Sequence, residues 1–259
     1  ANTRKERPVQ YSERHARLKL IFGEEGLEKL YNSTVMVLGL GGVGSACAEA
    51  LARGGIGNLI VLDRDIVDES NINRQALAFT STIGKVKAEV MESMIHEISP
   101  DCAVTTREVY LTPENIPEIL SGLPRPDYVL DCIDTITQKL AIAQWCAERH
   151  IYLLSSMGAA NKLDPEYLTF TNIRHTINCP MSRVIRGESY RRGIRGLEVL
   201  YSKEVPVKVA NPGARTKGET LGSMSYMPPI MGQMIAGKAI RRLAGLEEFP
   251  NAPRMRRAH

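Results

Sequence analysis

The stretch Thr34-Val-Met-Val-Leu38, followed at once by Gly39-Leu-Gly41-Gly42-Val-Gly44, decides the fold of this 259-residue chain. The first part is a short continuous apolar run, which is typical of a strand covered on both faces. The glycines allow a tight turn, and residues 45–53 are rich in strong helix formers. A Gly-x-Gly-x-x-Gly turn between a strand and a helix indicates a nucleotide-binding turn, because the helix N-terminus offers free N–H groups to phosphate. The glycines predicted to bind there are Gly39, Gly41, Gly42 and Gly44.

Strand-like and helix-like patterns alternate from this turn to about residue 155. Such alternation predicts an α/β fold with a doubly wound, Rossmann-like and mostly parallel sheet. The N-terminal region has the pattern of one or two amphipathic helices. The predicted elements are helices at 13–31, 45–53, 84–98, 137–149 and 228–243, and strands at 34–38, 58–62, 103–106, 127–130, 151–154 and 167–171.

The pattern loosens after residue 155, which indicates an elaborated C-terminal part. We expect a single domain over residues 1–259, with a nucleotide-binding core at 13–155. Residues 156–259 would then serve substrate binding and dimerisation. Proline and glycine recur in 203–222, so this segment is predicted to be a flexible loop.

Composition is typical of a globular protein, with 43% hydrophobic and 24% charged residues. The five cysteines include no Cys-x-x-Cys pair, which argues against a zinc ribbon and for a reducing compartment. Most of these thiols are expected to pack as small apolar groups. The N-terminus has no apolar secretory core, and the weakly polar stretch 221–236 contains adjacent prolines. We therefore expect a cytoplasmic protein without a membrane partner.

An acidic residue ends the second strand, because Asp63 follows Gly44 by 19 positions. An acid at that place can bind ribose hydroxyls. Acids, amides and Arg74 follow directly in 63–75, and Lys87 and Asp134 come later. Simple binding of a dinucleotide does not require these groups. A reaction in which a substrate attacks the α-phosphate of ATP does require them, since cations stabilise the developing charge and a carboxylate can hold Mg²⁺.

These motifs together resemble the ubiquitin-activating-type superfamily, which includes sulfur-carrier adenylyltransferases. The resemblance lies in GLGGVG at 39–44, LDRDIVDESNINRQ at 62–75, GKVKAE at 84–89 and DCIDT at 131–135. It implies that ATP is bound by the glycine turn and by Asp63, Asp65, Asn73, Arg74, Gln75 and Lys87.

The same resemblance implies Mg²⁺ at Asp134 and catalysis by Arg74, Lys87 and Asp134. Thr135 departs from the Asn that sister families carry after the Mg²⁺ acid. In this superfamily an N-terminal arginine reaches across a homodimer. Arg17 is the candidate for that catalytic role and Arg14 the second, and an ordinary surface arginine is the alternative for both.

Two absences narrow the resemblance to one branch. The chain lacks the paired Cys-x-x-Cys motifs of zinc-binding sulfur-carrier enzymes. It also lacks an obvious catalytic cysteine, because the segment where larger activators keep one contains only Cys179. Residues 16–23, 71–84, 179–186 and 199–204, together with 221–229, resemble the tRNA threonylcarbamoyladenosine dehydratase family. The implied reaction is ATP-dependent cyclisation of that modified adenosine through an acyl-adenylate.

A basic run at 183–195 has five arginines and one acid, and the chain ends in a second basic segment, 253–259. One interpretation is a solvated helix face and a frayed tail. The other is a surface for the phosphates of tRNA, with Tyr190 available for stacking on a base. The residues predicted to contact tRNA are Arg186, Arg191, Arg192 and Arg195.

Three other functions compete with this interpretation. An adenylyltransferase for the C-terminal glycine of a ubiquitin-like sulfur carrier would share the nucleotide site. A nucleotide-binding scaffold without turnover would be expected to lose part of the phosphate-binding set. An NAD-dependent dehydrogenase is disfavoured by the 70–75 segment. The sequence leaves open whether a sulfur-transfer protein assists and whether a monovalent cation binds in the C-terminal part.

Overall fold

The computed structural model describes residues 13–210 and 221–256. Its central feature is a seven-stranded sheet in the spatial order β3-β2-β1-β4-β5-β8-β6, in which only β6 runs antiparallel. A second, two-stranded antiparallel sheet joins β7 to β9. The strands are β1 (Thr34–Leu38), β2 (Asn58–Asp63), β3 (Ala103–Glu108), β4 (Tyr128–Asp131), β5 (Tyr152–Ser156), β6 (Leu168–Asn172), β7 (Ile194–Arg195), β8 (Glu198–Ser202) and β9 (Arg254–Met255).

Seven α-helices accompany these strands in the described residues. They lie on both faces of the large sheet, as the two faces of the fully buried β1 show. Val35 and Val37 belong to one apolar cluster, and Met36 and Leu38 to the other. The helices are α1 (Ala16–Asn32), α2 (Gly42–Arg53), α3 (Lys87–Ile98), α4 (Ile116–Ser121), α5 (Ile136–Arg149), α6 (Pro180–Arg191) and α7 (Met227–Leu243).

The order of the strands places a crevice at one point of the sheet. From β1 the chain winds outward through β2 to β3 and then returns to β4 on the other side of β1. In open parallel sheets, ligands bind where this reversal occurs, outside the carboxyl ends of the strands. The glycine turn that follows β1 lies at that point.

The predicted doubly wound α/β fold is confirmed, and most predicted elements lie within a few residues of the observed ones. The N-terminal helix pattern is interrupted, because Gly23 has φ +70 inside α1. The sequence pattern did not indicate α4, α6 or β8 as elements. β8 lies between β5 and β6 and so completes the large sheet.

Residues 203–210 and 221–222 have no regular secondary structure, and the rest of the predicted flexible loop, 211–220, lies outside the described residues. All five cysteines are free and buried, which confirms their predicted role as packed thiols. Among residues 13–210 and 221–256, every helix is too short or too polar to cross a membrane.

Candidate nucleotide-binding site

A cavity of about 500 Å³ opens at the carboxyl ends of β1, β2 and β4. Its walls come from the glycine turn, the segments after β2 and β4, the residues after β5 and the start of α7. Most of the predicted ATP and Mg²⁺ ligands are brought together here. Those that line the cavity are Gly39, Gly41, Gly42, Asp63, Asp65, Arg74, Gln75, Lys87 and Asp134.

The glycine turn folds tightly because two of its positions exclude side chains. Gly39 has φ +86, a conformation that favours glycine. A Cβ on Gly44 would lie 1.7 Å from the carbonyl oxygen of Gly39, so α2 can pack onto the turn only with glycine there. Gly44 therefore supports the cavity from below and is not part of its lining. Gly41 precedes α2 with no side chain to cap it, which leaves the first N–H groups of the helix for an anionic ligand.

Asp63 is fixed at the end of β2 by two backbone groups. Its Oδ2 accepts a hydrogen bond from the N–H of Leu40 at 2.5 Å, and its Oδ1 accepts one from the N–H of Asp65 at 2.8 Å. Each carboxylate oxygen keeps a further lone pair. The carboxylate is thus held beside the glycine turn and can accept hydrogen bonds from the hydroxyls of a ribose.

Lys87 brings a positive charge into the cavity wall from the first residue of α3. Its side chain is only 5% exposed, and Nζ lies 3.2 Å from Oδ2 of Asp65. The N–H of Lys87 also donates to the carbonyl of Asp65 at 3.0 Å. An ammonium group has three N–H donors, so this pairing leaves donors for a phosphate.

Arg74 and Gln75 form the adjoining wall. Nη1 of Arg74 donates to the carbonyl of Ser70 at 2.9 Å and to Oδ1 of Asn73 at 2.8 Å. Gln75 is buried, and its Oε1 accepts no hydrogen bond from any residue in the described part of the chain. A buried acceptor without a partner costs about 1–3 kcal/mol, so this oxygen fits a site that is completed by a ligand or an ordered water.

Asn73 does not line the cavity, although the sequence analysis predicted it as an ATP ligand. Its Oδ1 accepts the bond from Arg74, and its Nδ2 donates to the carbonyl of Ser223 at 3.1 Å. Asn73 therefore connects Arg74 to the segment that covers one side of the cavity. That segment is further held by Asn161, whose Oδ1 accepts from the N–H of Gly222 at 2.7 Å.

Asp134 is an exposed carboxylate on the turn after β4, and it contacts the hydroxyl of Thr135 at 3.4 Å. Within residues 13–210 and 221–256, no three His, Cys, Asp or Glu side chains group to hold a metal. Mg²⁺ usually keeps several waters and binds one or two carboxylates together with substrate phosphates. Asp134 is one exposed carboxylate at the cavity, which fits that mode of binding and does not fit a closed cage.

Among the cavity residues that were not predicted from the sequence, three bring polar or aromatic side chains: Arg64, Tyr110 and Gln138. The guanidinium of Arg64 lies 4.2 Å from the centre of the Tyr110 ring, and both side chains line the cavity. Nε2 of Gln138, which is buried, donates to the carbonyl of Leu111 at 2.7 Å and so fixes the segment that carries Tyr110. These groups offer a flat, partly apolar wall next to Asp63. The signal in the sequence was their position, because Arg64 and Tyr110 come two and four residues after predicted strands and Gln138 lies within a predicted helix.

The two N-terminal arginines lie away from the cavity. Arg14 and Arg17 are exposed, and neither belongs to the lining within the described chain. They stand close in sequence to Leu20 and Ile21, which are 85% and 70% exposed. This end of α1 thus presents arginines and large apolar side chains to the surroundings together.

The four arginines predicted to contact tRNA differ in their surroundings. Arg186 is half-buried, and its Nη1 donates to the carbonyl of Thr176 at 2.7 Å. Arg191 is paired with Glu188. Arg192 is exposed, and Arg195 lies over the ring of a neighbouring tyrosine at 4.6 Å.

Comparison with known proteins identifies the family of the chain. The ThiF family model matches residues 12–259. The tRNA threonylcarbamoyladenosine dehydratase of Bacillus subtilis (strain 168) is 39% identical over 240 residues, which cover 88% of this chain and 93% of that protein. The structure of Escherichia coli tRNA N6-threonylcarbamoyladenosine dehydratase in complex with ATP is similar with a TM-score of 0.82 and 30% identity, covering 91% of this chain and 97% of that one.

The sulfur-carrier alternative matches less of the chain. The molybdopterin-synthase adenylyltransferase of Escherichia coli (strain K12) is 34% identical over 150 residues, which cover 58% of each protein. The part shared with this adenylyltransferase is thus shorter than the part shared with the dehydratases. The similarity to the dehydratases extends over both the nucleotide-binding core and the C-terminal part. The resemblance found from the motifs is confirmed. The chain belongs to the ThiF family, within the group that contains the tRNA threonylcarbamoyladenosine dehydratases.

Proposed function

We propose that the protein uses ATP to cyclise threonylcarbamoyladenosine in the anticodon loop of tRNA, with net loss of one water. The observation that carries the proposal is the convergence on one cavity of the glycine turn, the cationic side chains of Arg74 and Lys87, and the exposed carboxylate of Asp134. The similarity of this chain to tRNA threonylcarbamoyladenosine dehydratases over nearly its whole length supports the choice of substrate.

ATP would lie across the cavity from the Tyr110 wall to the N-terminus of α2. The adenine would pack beside Tyr110, and Asp63 would accept hydrogen bonds from the ribose. The phosphates would then meet the N–H groups that follow Gly41, with Arg74 and Lys87 beside them. Asp134 would hold Mg²⁺, which when bound neutralises phosphate charge.

The chemistry needs positioning and charge stabilisation more than it needs an enzyme nucleophile. The threonyl carboxylate of the modified base would attack the α-phosphate, so that pyrophosphate leaves and an acyl-adenylate forms. Arg74 and Lys87 would stabilise the negative charge that develops in this step. The neighbouring carbamoyl group would then attack the activated carbonyl, expel AMP and close a ring.

Cys179 supports this reading because it is a packed thiol. It is 6% exposed, does not line the cavity, and its Sγ accepts a hydrogen bond from the N–H of Ser182 at 3.4 Å. A nucleophile within the substrate itself needs no enzyme thiol, since proximity supplies a high effective concentration.

We further propose that the protein acts as a cytoplasmic homodimer in which Arg17 reaches the phosphates bound by the partner subunit. The exposure of Leu20 and Ile21 on the same helix supports this, because large apolar side chains at a helix surface favour burial against another protein surface.

The decisive experiment compares AMP release from ATP and Mg²⁺ with tRNA that carries threonylcarbamoyladenosine and with the same tRNA lacking it. We expect release only with the modified tRNA, accompanied by loss of one water from the base in mass spectrometry. Asp134→Ala should abolish the release while the protein stays folded. Release with neither tRNA would refute the proposal and direct the search to small carrier proteins that end in glycine.

A further inference from the structure

Two arginine-rich segments that are far apart in the sequence form one surface. Arg195 of β7 pairs with Arg254 of β9, and the N–H of Arg256 donates to the carbonyl of Gly193 at 2.7 Å. Directly paired residues of two strands point to the same face, and so do residues two apart in one strand. Arg192 immediately precedes this pairing. We call Arg195, Arg254 and Arg256, together with Arg192 at the adjoining end of α6, the arginine ribbon.

The ribbon carries charge that the described protein does not neutralise. Among residues 13–210 and 221–256, the side chains of Arg192, Arg254 and Arg256 form no ion pair. The nearest acids along the chain are occupied, since Glu188 pairs with Arg191 and Glu198 pairs with Arg242. Like charges side by side repel one another, so this arrangement favours an anionic partner.

An aromatic ring stands next to these charges. Tyr190 is 69% exposed, and the guanidinium of Arg195 lies 4.6 Å from its ring centre. Nη1 of Arg195 also donates to the carbonyl of Ile194 at 3.1 Å, which fixes the guanidinium in place. Arg195 therefore holds the tyrosine ring while most of the side chain stays accessible. A held, exposed aromatic ring among arginines is the arrangement on which nucleic acid bases stack.

α6 sets the distance between this surface and the nucleotide cavity. Met181, in its first turn, lines the cavity, and Arg191 ends the helix beside the ribbon. A helix of 12 residues is about 18 Å long at the usual rise per residue. A single nucleotide in the cavity cannot reach so far, but a longer RNA can.

We propose that the arginine ribbon and Tyr190 bind the RNA several nucleotides away from the base that enters the cavity. The ribbon would contact phosphates, and Tyr190 would stack on an unpaired base or sugar. This inference rests on the proposed function and identifies the surface that holds the remainder of the tRNA. It adds Arg254 and Arg256 to the interface, and it assigns Arg186, tied to Thr176, to the support of α6.

The test removes two charges from the ribbon with the double variant Arg254→Gln/Arg256→Gln. Its matched control is Arg53→Gln/Arg107→Gln, which removes two exposed arginines elsewhere on the surface. Binding of whole modified tRNA is measured over a salt series. The slope of log affinity against log salt should become shallower by about 2 in the ribbon variant and remain unchanged in the control. Tyr190→Ala should weaken tRNA binding on the order of tenfold.

A short substrate separates this inference from the proposed function. AMP release is also measured with a five-nucleotide RNA that carries the modified base at its centre. The ribbon variant should act on this RNA as the wild type does, while its KM for whole tRNA rises. An unchanged salt slope, an equal change in the control, or an equal loss with the short RNA would overturn the inference. Binding of wild type to anionic lipid vesicles in place of tRNA would also overturn it. Failure of wild-type protein to release AMP with any modified RNA would instead overturn the proposed function.

Discussion

Nζ of Lys139 lies 2.9 Å from Oδ2 of Asp131 in an ion pair whose side chains are 2% and 0% exposed. The hydroxyl of Ser155 donates to the same oxygen at 2.5 Å, and the N–H of Ile133 donates to Oδ1 at 3.1 Å. Asp131 therefore connects the end of β4 to α5, to β5 and to the turn that follows β4. The turn it holds is the one that carries Asp134 into the cavity.

Replacing Lys139 with methionine should destabilise the protein strongly. The substitution keeps an unbranched side chain but leaves the buried carboxylate of Asp131 without its cation, which typically costs 3–5 kcal/mol, so about that loss is expected. Urea unfolding measures it. The double variant Asp131→Asn/Lys139→Met removes both charges and should recover part of the loss. Equal stability of the wild type and Lys139→Met would mean that the pair contributes nothing to folding.

Two glycines of the phosphate turn should respond in opposite ways to a single methyl group. A Cβ at Gly44 would meet the carbonyl of Gly39 at 1.7 Å, so Gly44→Ala must displace α2 and should lower Tm by many degrees. At Gly41 no described atom lies within 4 Å of the added Cβ, and the backbone has φ −71. Gly41→Ala should therefore keep its Tm and lose affinity for ATP, because the added methyl group would occupy space that the proposed function assigns to the phosphates.

Thermal unfolding and ATP titration of the two variants test this contrast. Each variant serves as the control of the other, since the chemical change is the same and the positions are three residues apart. Tight ATP binding by Gly41→Ala would show that the phosphates lie elsewhere in the cavity. A stable Gly44→Ala protein would contradict the close packing of α2 onto the turn.

The sequence was sufficient for the layers of the fold because the central parallel strands β1, β2 and β4 are buried on both faces. For that reason the sequences of Thr34–Leu38 and Asn58–Asp63 are almost continuously apolar. Glycine follows the first of these strands, and an acidic residue ends the second. Most of the predicted site residues that follow these strands lie around one cavity, since the carboxyl ends of neighbouring parallel strands meet at one edge.

The parts that were missed depend on contacts distant in the sequence. β8 has few local signals, and its place between β5 and β6 is set by pairing partners from 154–156 and 168–172. Tyr110 and Arg64 belong to the cavity only because β2 and β3 are adjacent. Likewise, the arginine ribbon results from a pairing between residues near 194 and 255, which no local pattern indicates.

Cys179→Ser should leave AMP release within about twofold of wild type, because an intramolecular nucleophile closes the ring without an enzyme thiol. Lys87→Met is the active-site control, and it should lower the rate on the order of 100-fold by removing transition-state stabilisation. Both are measured with modified tRNA under single-turnover conditions. Loss of activity in a folded Cys179→Ser protein would require a covalent step that the present mechanism lacks.

His15 should make stability depend on pH in a predictable direction. It lies 2.6 Å from the hydroxyl of Tyr31, and burial, followed by the charge of Arg14, lowers its pKa below the usual 6.5. When pH falls below 6.5, His15 becomes protonated in the unfolded chain but stays neutral in the folded protein until a lower pH is reached. The free energy of unfolding therefore decreases as pH falls through this range. His15→Gln should therefore lose less stability than wild type between about pH 7 and pH 5. His175→Gln makes the same substitution at an exposed position and is measured alongside as the control.

The trans role of Arg17 can be tested with dimers built from two inactive subunits. An Arg17→Ala protomer has an intact cavity but no Arg17 to contact the phosphates bound by its partner. A Lys87→Met protomer keeps Arg17 but has a defective cavity. In a mixed dimer, the cavity of the Arg17→Ala protomer receives Arg17 of its Lys87→Met partner, so one complete site forms. Co-expression with two affinity tags isolates that dimer, which should release AMP at about half the wild-type rate because one of its two sites is complete. An unpurified random mixture should reach about a quarter, since only half of its dimers are mixed.

The control pairs Lys87→Met with Asp134→Ala. Both substitutions damage a subunit's own cavity, so no combination of these two protomers contains a complete site and activity should stay absent. Restoration in the first pair alone would establish that Arg17 acts across the interface. A purified Arg17→Ala/Lys87→Met dimer without activity would mean that Arg17 serves its own subunit or has no part in catalysis, and Arg14 would become the residue to exchange. Monomeric wild-type protein at assay concentration would refute the dimer and leave both arginines as ordinary surface residues.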